Sequence, residues 1–261
     1  MKAKNKIVLY FTSILLIIIC LSSSASAYYT CHWYLKRNKG GERPGFPSEA
    51  EIIKQYDAYF IDERLTQESD EKKLYITFDA GYENGNIEKI LDVLKQNNVP
   101  AAFFLLDNII LKNTDLVLRM TEEGHLVCNH TKNHKDLSNA SAEEIAKNLK
   151  ALETLYEEKC GREMSKYFRF PEGKYSIEAL KNVQKLGYKT IFWSFAYDDW
   201  DNGRQPSSKV AIKKVLDNTH NGAVLLFHPT SSTNVKILPT LIEKWREMGY
   251  SFGTLDELTS E

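Results

Sequence analysis

The sequence predicts an α/β fold built on a parallel sheet, and two observations carry that expectation. From Leu74 onward, short apolar runs of strand length alternate with longer stretches whose apolar residues recur at helical spacing. Glycines stand where most of the helical stretches should stop. Strict β/α alternation calls for parallel strands, either closed as a barrel or open and wound on both faces. In both arrangements chemistry gathers at the C-terminal ends of the strands. The polar residues at those ends are therefore the ones that bear on function.

Taken in order, residues 1–27 carry Lys2, Lys4 and Lys6, an apolar run from Ile7 to Leu21 and the small-residue ending Ala25-Ser26-Ala27. This reads as a secretory signal peptide cleaved after Ala27; the alternative is an uncleaved anchor, and in both cases the rest of the chain is exported, secreted or held at the cell envelope. Residues 28–66 form an irregular N-terminal extension, broken by Gly40, Gly41, Pro44, Gly45 and Pro47 and carrying one short amphipathic stretch, 48–56. The main domain spans 67–261. Its strand-like runs are 74–78, 101–106, 125–128, 167–169, 190–195, 223–227 and a weaker one at 250–252. Between them, helices are expected over 87–96, 115–123, 142–158, 177–186, 209–218 and 236–248. Asn113 or Thr114, Ser141 and Ser176 serve as N-caps, and Gly124, Gly161, Gly187 and Gly249 as C-terminal stops.

At 261 residues, 43% hydrophobic and 26% charged, the chain has the composition of a folded globular protein. Cleavage of the leader removes three lysines from 34 basic side chains and none of the 35 acidic ones, leaving a charge of about −4. A mildly acidic surface argues against a nucleic-acid partner. Cys31, Cys128 and Cys160 remain after the leader, an odd number without a C-x-x-C pair. They outline neither a disulfide framework nor a thiolate metal site, although a Cys31–Cys160 bridge is open.

The polar residues at the strand ends form a set. Asp79 ends the run 74–78 and suits a general base, or else a simple cap. His130 and His134 follow 125–128 four residues apart; on one face of a helical turn, two imidazoles so spaced reach one divalent ion. No Glu follows the first His, which counts against a zinc-protease motif. Arg169 closes the next strand in Arg169-Phe170-Pro171-Glu172-Gly173 and can pin a carboxylate in its ionised form, with Asp79 the partner. Asp199 and Trp200 follow 190–195, and His228 follows 223–227. A carboxylate beside that His would fix its tautomer and raise its pKa, as a proton donor near neutrality requires. No G-x-S-x-G sequence offers a serine nucleophile.

These five segments, in this order, resemble the polysaccharide deacetylase family, the NodB homology domain of carbohydrate esterase family 4, over about Lys72 to Leu258. The resemblance implies a distorted (β/α) barrel of about seven parallel strands. It also implies a catalytic base at Asp79, metal ligands at His130 and His134, and an orienting Arg169. Asp199 would tune a general acid, His228, with Trp200 walling the pocket and Leu226 against the acetyl methyl. Pro171, Glu172 and Tyr175 would line the groove, the Glu172 N–H as an oxyanion donor. Lys174 is a candidate for the lactyl carboxylate of muramic acid.

One position departs from the family pattern. The first motif carries a second Asp as third metal ligand, and here Ala80 stands in its place. Two imidazoles and water should hold a divalent ion, Zn2+ or similar, only weakly. The stretch Thr77-Phe78-Asp79-Ala80-Gly81-Tyr82-Glu83-Asn84-Gly85 is similar to a spore-associated branch of the family, the δ-lactam-biosynthetic de-N-acetylases, in which that Asp is also replaced. The resemblance thus points to a peptidoglycan deacetylase acting on N-acetylmuramic acid of spore cortex. Its partner would be glycan strands; no stable protein partner is called for, and a monomer is expected. Two readings compete: a glycan-binding fold that lost catalysis with its third ligand, and a deacetylase of N-acetylglucosamine polymers.

Overall fold

The computed structural model describes residues 29–38 and 40–260, so the leader read over 1–27 lies outside it. No helix among the described residues is long and apolar enough to cross a membrane. Ten strands are described: β1 (Cys31–His32), β2 (Ala58–Tyr59), β3 (Lys73–Ala80), β4 (Ala102–Leu105), β5 (Leu126–Asn129), β6 (Tyr167–Phe168), β7 (Lys174–Tyr175), β8 (Lys189–Ile191), β9 (Ala223–Phe227) and β10 (Ser251–Phe252). Eight of them make one sheet in the order β10-β3-β4-β5-β6-β8-β2, with β9 on the other side of β3. Every pairing in it is parallel. The sheet curls until its two sides meet, where a parallel bridge joins Phe195 to Leu225 on β9. Ser194 N–H donates to the Val224 carbonyl at 2.9 Å and Leu226 N–H to the Phe195 carbonyl at 2.9 Å. The result is the distorted (β/α) barrel of about seven parallel strands that the sequence suggests.

The irregular reading of 28–66 misses one contribution. Ala58–Tyr59 pairs in parallel with Thr190 and Ile191, too short a strand to show any alternation of its own. The extension also shares a core: Trp33, Ile53, Phe60 and Ile61 cluster with Leu137, Phe168, Phe170 and Phe192. Its stretch 48–56 becomes a helix over Ala50–Ile53 and one 3₁₀ turn.

Helices form where the apolar stripe and the caps agree. Ile87–Gln96 buries Ile87, Ile90, Leu91 and Leu94, the i, i+3, i+4, i+7 face of the pattern. Ser141 accepts from the Glu144 N–H and Ser176 from the Ala179 N–H, whereas Asn113 precedes its helix without a side-chain cap. Gly161 adopts the left-handed φ of 65° that ends the helix Ala142–Cys160. A six-residue helix, Asp107–Lys112, was too short to give a periodic signal. Cys31, Cys128 and Cys160 are all free thiols, so the open Cys31–Cys160 bridge does not form.

On β3, Leu74, Ile76, Phe78 and Ala80 enter one core while Tyr75 enters another, as the pleat requires. Asp79 therefore points to the opposite face from Ala80. Register then sets the level of the strand ends. Phe78 pairs with Phe227, so Asp79 and His228 leave their strands side by side. Asn129 pairs with Phe168, which does the same for His130 and Arg169.

Candidate active site

Arg169 is the fixed point of the site. Its side chain is fully buried, stacked 4.1 Å over the Phe104 ring, and its Nε and Nη2 donate to the carbonyls of Ile191 at 2.9 Å and Phe192 at 3.2 Å. The remaining terminal nitrogen, Nη1, donates to Asp79 Oδ1 at 2.7 Å. Burial pushes the Asp79 carboxyl upward, but the charge and hydrogen bond of Arg169, helped by the nearby His228, outweigh it and hold the group below its ordinary value. Asp79 is thus an ionised carboxylate with its second oxygen free to accept a proton.

That second oxygen, Oδ2, lies 3.5 Å from His130 Nε2. His130 Nδ1 is 2.9 Å from the Arg169 carbonyl, a contact that requires the proton on Nδ1 and leaves the Nε2 lone pair facing the cavity. Burial keeps this imidazole neutral, its pKa pulled down to about 4. The His134 ring stands with its centroid 5.1 Å away and its plane tilted by 74°. The expected helical turn does not form. Thr131 and His134 take left-handed φ values of 69° and 59°, and these fold the loop back so that the second ring returns to the first. Asn129 Oδ1, accepting from the Thr131 N–H at 2.9 Å, and Thr131 Oγ1, accepting from the Lys135 N–H at 3.1 Å, hold that shape.

These features fit a divalent cation: two imidazoles 5.1 Å apart, the first neutral with its Nε2 lone pair turned to the cavity, beside a carboxylate. Ala80 adds nothing, being fully buried in the apolar row of β3. Among the described residues, no three or more His, Cys, Asp or Glu side chains converge as a metal cluster.

On the other side of the cavity, His228 Nδ1 is 2.8 Å from Asp199 Oδ1, and the His228 N–H donates to Oδ2 at 2.8 Å. Asn234 Nδ2 also donates to Oδ2, at 2.6 Å, and is itself braced by the Tyr197 hydroxyl. Burial opposes a charge on His228, yet the hydrogen bond and charge of Asp199 prevail and raise its pKa above the ordinary value.

Asp79, His130, His134, Glu172, Trp200, Leu226 and His228 all line one cavity of about 1120 Å3, with Arg169 and Asp199 behind its wall. Trp200 stands 62% exposed at the rim. Two expected groove residues lie elsewhere. Tyr175 is fully buried, because β7 pairs with β1 and turns its ring into the core 5.1 Å from Phe192. Pro171 is buried beneath the turn that presents Glu172, whose φ of 56° carries it over the cavity. Lys174 is off the cavity wall and pairs with Glu172 at 2.8 Å. Sequence reasoning missed Arg37, Trp193, Tyr197 and Asp198 on the wall, and Asn234 behind it. Arg37 and Asn234 meet the site only through long-range packing, whereas Trp193, Tyr197 and Asp198 arrive on the same segment as Asp199 and Trp200.

A barrel whose strand ends hold an arginine-bound carboxylate beside two imidazoles, facing a carboxylate-braced histidine, has the layout of a hydrolase site. The chain belongs to the polysaccharide deacetylase family, whose pattern matches residues 66–191. It is 34% identical over 231 residues to the peptidoglycan-N-acetylmuramic acid deacetylase PdaA of Bacillus subtilis, covering 88% of this chain and 86% of that protein. The solved structure of PdaA, a family 4 carbohydrate esterase, superposes with a TM-score of 0.83 at 33% identity, over 88% of this chain and 97% of that one. A family 4 pseudoenzyme from Bacillus anthracis aligns with a TM-score of 0.67 at 28% identity, over 74% of this chain and 66% of that one.

Proposed function

We propose that this chain is an exported enzyme that hydrolyses the N-acetyl group of N-acetylmuramic acid in peptidoglycan, in spore cortex on the way to muramic δ-lactam. The observation that carries the proposal is the pairing of two opposed proton-transfer groups on one cavity: Asp79 pinned by Arg169, and His228 braced by Asp199. The similarity to PdaA supports the choice of sugar.

Amide hydrolysis asks for a better nucleophile than water, a place for the oxyanion and a proton for the departing nitrogen. A divalent cation on His130 and His134 would supply Lewis acidity. Asp79 Oδ2 takes the proton of the attacking water while Arg169 keeps the carboxylate oriented. The Glu172 N–H donates to the developing oxyanion. His228, protonated on both nitrogens when charged, holds one proton toward Asp199 and delivers the other to the leaving amine. Leu226 packs on the acetyl methyl, and Trp200 offers a face to the sugar.

The experiment is mass spectrometry of peptide-free, cortex-like glycan incubated with the protein and a divalent cation, with and without chelator. Loss of acetyl from muramic residues, suppressed by the chelator, is the expected result. Glycan retained by the protein with no acetyl lost would favour a binding role instead, a reading that the buried Ala80 and the pseudoenzyme relative keep in view.

A further inference from the structure

The cavity wall carries one lysine or arginine among the described residues, Arg37, and it comes from the N-terminal extension rather than from any of the five motif loops. Its position is built. On one flank Trp33 N–H donates to the Gly173 carbonyl at 2.8 Å and the Trp33 indole to the Trp193 carbonyl at 2.9 Å. On the residue beside it, Lys36 and Gly45 exchange two backbone hydrogen bonds of 2.8 Å. Arg37 itself donates from one terminal nitrogen to the Ala196 carbonyl and lies 5.9 Å from the Phe195 ring centroid.

No carboxylate of the described chain pairs with Arg37, although Glu172 and Asp198 share the same wall; Glu172 is taken by Lys174 and Asp198 sits 3.9 Å from Lys214. Arg169, the other guanidinium nearby, spends its donors on Asp79 and two backbone carbonyls. An arginine with one nitrogen anchored and the rest of its fork open is suited to a planar anion.

We infer that Arg37 is a specificity-determining residue that binds the free lactyl carboxylate of a muramic residue, an inference that rests on the deacetylase reading for its substrate class. N-acetylmuramic acid differs from N-acetylglucosamine by that lactyl ether alone. A peptide stem attached there turns the carboxylate into a neutral amide. One contact therefore discriminates against both glucosamine polymers and peptide-bearing strands, and a reaction that cleaves the lactyl–peptide amide must come first. Lys174, the candidate in sequence, is displaced from this role by its pairing with Glu172.

The test compares the wild type with Arg37→Met and Arg37→Lys on three oligomers of equal length. They are peptide-free muramic glycan, the same glycan with its lactyl carboxylates converted to methylamides, and an N-acetylglucosamine oligomer. Arg37→Met should raise KM on the first roughly ten- to hundredfold, with kcat little changed, as expected for losing a charge-assisted contact. It should leave the other two substrates and the thermal midpoint unaltered, and Arg37→Lys should recover part of the loss. An equal decline on all three oligomers, or none on the first, overturns the assignment while the deacetylase reading stands. If the wild type releases no acetate from any of them, that reading fails. Binding of the first two oligomers, followed by fluorescence of Trp193 and Trp200 on the cavity wall, then decides the role of Arg37. Equal affinity of the wild type for both forms overturns it, and a preference for the free carboxylate that Arg37→Met abolishes supports it.

Discussion

Two histidine–aspartate pairs face each other across the cavity, and they are made of the same residue types in opposite states. His130 turns its Nδ1 to a backbone carbonyl and meets Asp79 only at 3.5 Å, and burial drives it neutral, to about 4. His228 turns its Nδ1 to Asp199 at 2.8 Å and is pushed toward the charged form. The two carboxylates differ in the same way. Asp79 is tied to a cation and stays available on one oxygen, whereas both oxygens of Asp199 are used, by His228 and Asn234. The group behind each histidine, a carbonyl or a carboxylate, goes with whether the ring is held neutral or pushed toward its charged form.

The sharpest way to break the comparison is Asp79→Asn, which removes the base and strands the Arg169 charge. Turnover should fall by about 10²- to 10⁴-fold. Stability should fall by about 3–5 kcal/mol, because a buried guanidinium is left unpaired, and acetate release and urea unfolding would report the two losses separately.

Asp199→Asn attacks the other pair and should cost about a hundredfold in kcat. It should also shift the pH profile. In the wild type Asp79 stays ionised below the ordinary carboxylate range and His228 stays protonated above the ordinary histidine range, so the plateau lies between them. Without Asp199 the basic limb should move to lower pH while the acidic limb holds. An unmoved basic limb would mean that His228 is not the acid.

His125 and His220 extend the comparison to histidines with no carboxylate partner. Both are buried and depressed to about 4, and both nitrogens of His125 lack any hydrogen bond. Such groups take up protons on unfolding below their free pKa, so the stability they confer is present above about 6.5 and is lost as pH falls toward about 4. His125→Leu should reduce by about 2 kcal/mol the drop, between pH 7 and pH 4.5, in the unfolding free energy extrapolated from urea titrations to water.

Ala80→Asp probes the missing ligand. In the cation-free protein it places a carboxyl in the apolar row of β3 and should cost about 1–2 kcal/mol in thermal unfolding. Its side chain starts on the face opposite Asp79, so a loss that stays unrecovered on adding a divalent cation is the outcome the pleat predicts. Recovery, with tighter binding by calorimetry, would require the end of β3 to turn the new carboxylate toward His130 and His134.

The candidate site was legible in sequence where a polar residue stands at or one position past the end of an apolar run. Asp79 comes within the β3 run, and His130, Arg169 and His228 each come one position past the strands β5, β6 and β9, so apolar runs alone bring them to one level. The segment between Ile191 and Asp199 was less clear. It reads as a strand through Phe195, yet the ladder stops at Ile191 and the chain swings across to β9. Tyr175 misled because a polar-tipped aromatic beside a motif fits a groove as well as a core. Only the pairing of β7 with β1 decides between them. Arg37 and Asn234 reach the site from far along the chain, over 159 residues to Ala196 and 35 to Asp199, and nothing local marks them.

The stopping of β6 at Phe168 and of β8 at Ile191 has a consequence for how the base can evolve. Where the next rung of the sheet would fall, a side chain takes over: the Arg169 guanidinium occupies the carbonyls of Ile191 and Phe192 and extends the ladder to the carboxylate. The β6–β8 junction and the orientation of the Asp79 carboxylate are therefore one structural unit. A lysine at 169 would keep the charge yet lack the fork to serve three acceptors in that geometry. Altering the electrostatics of Asp79 through Arg169 without loosening that junction would require compensating changes in the backbone itself.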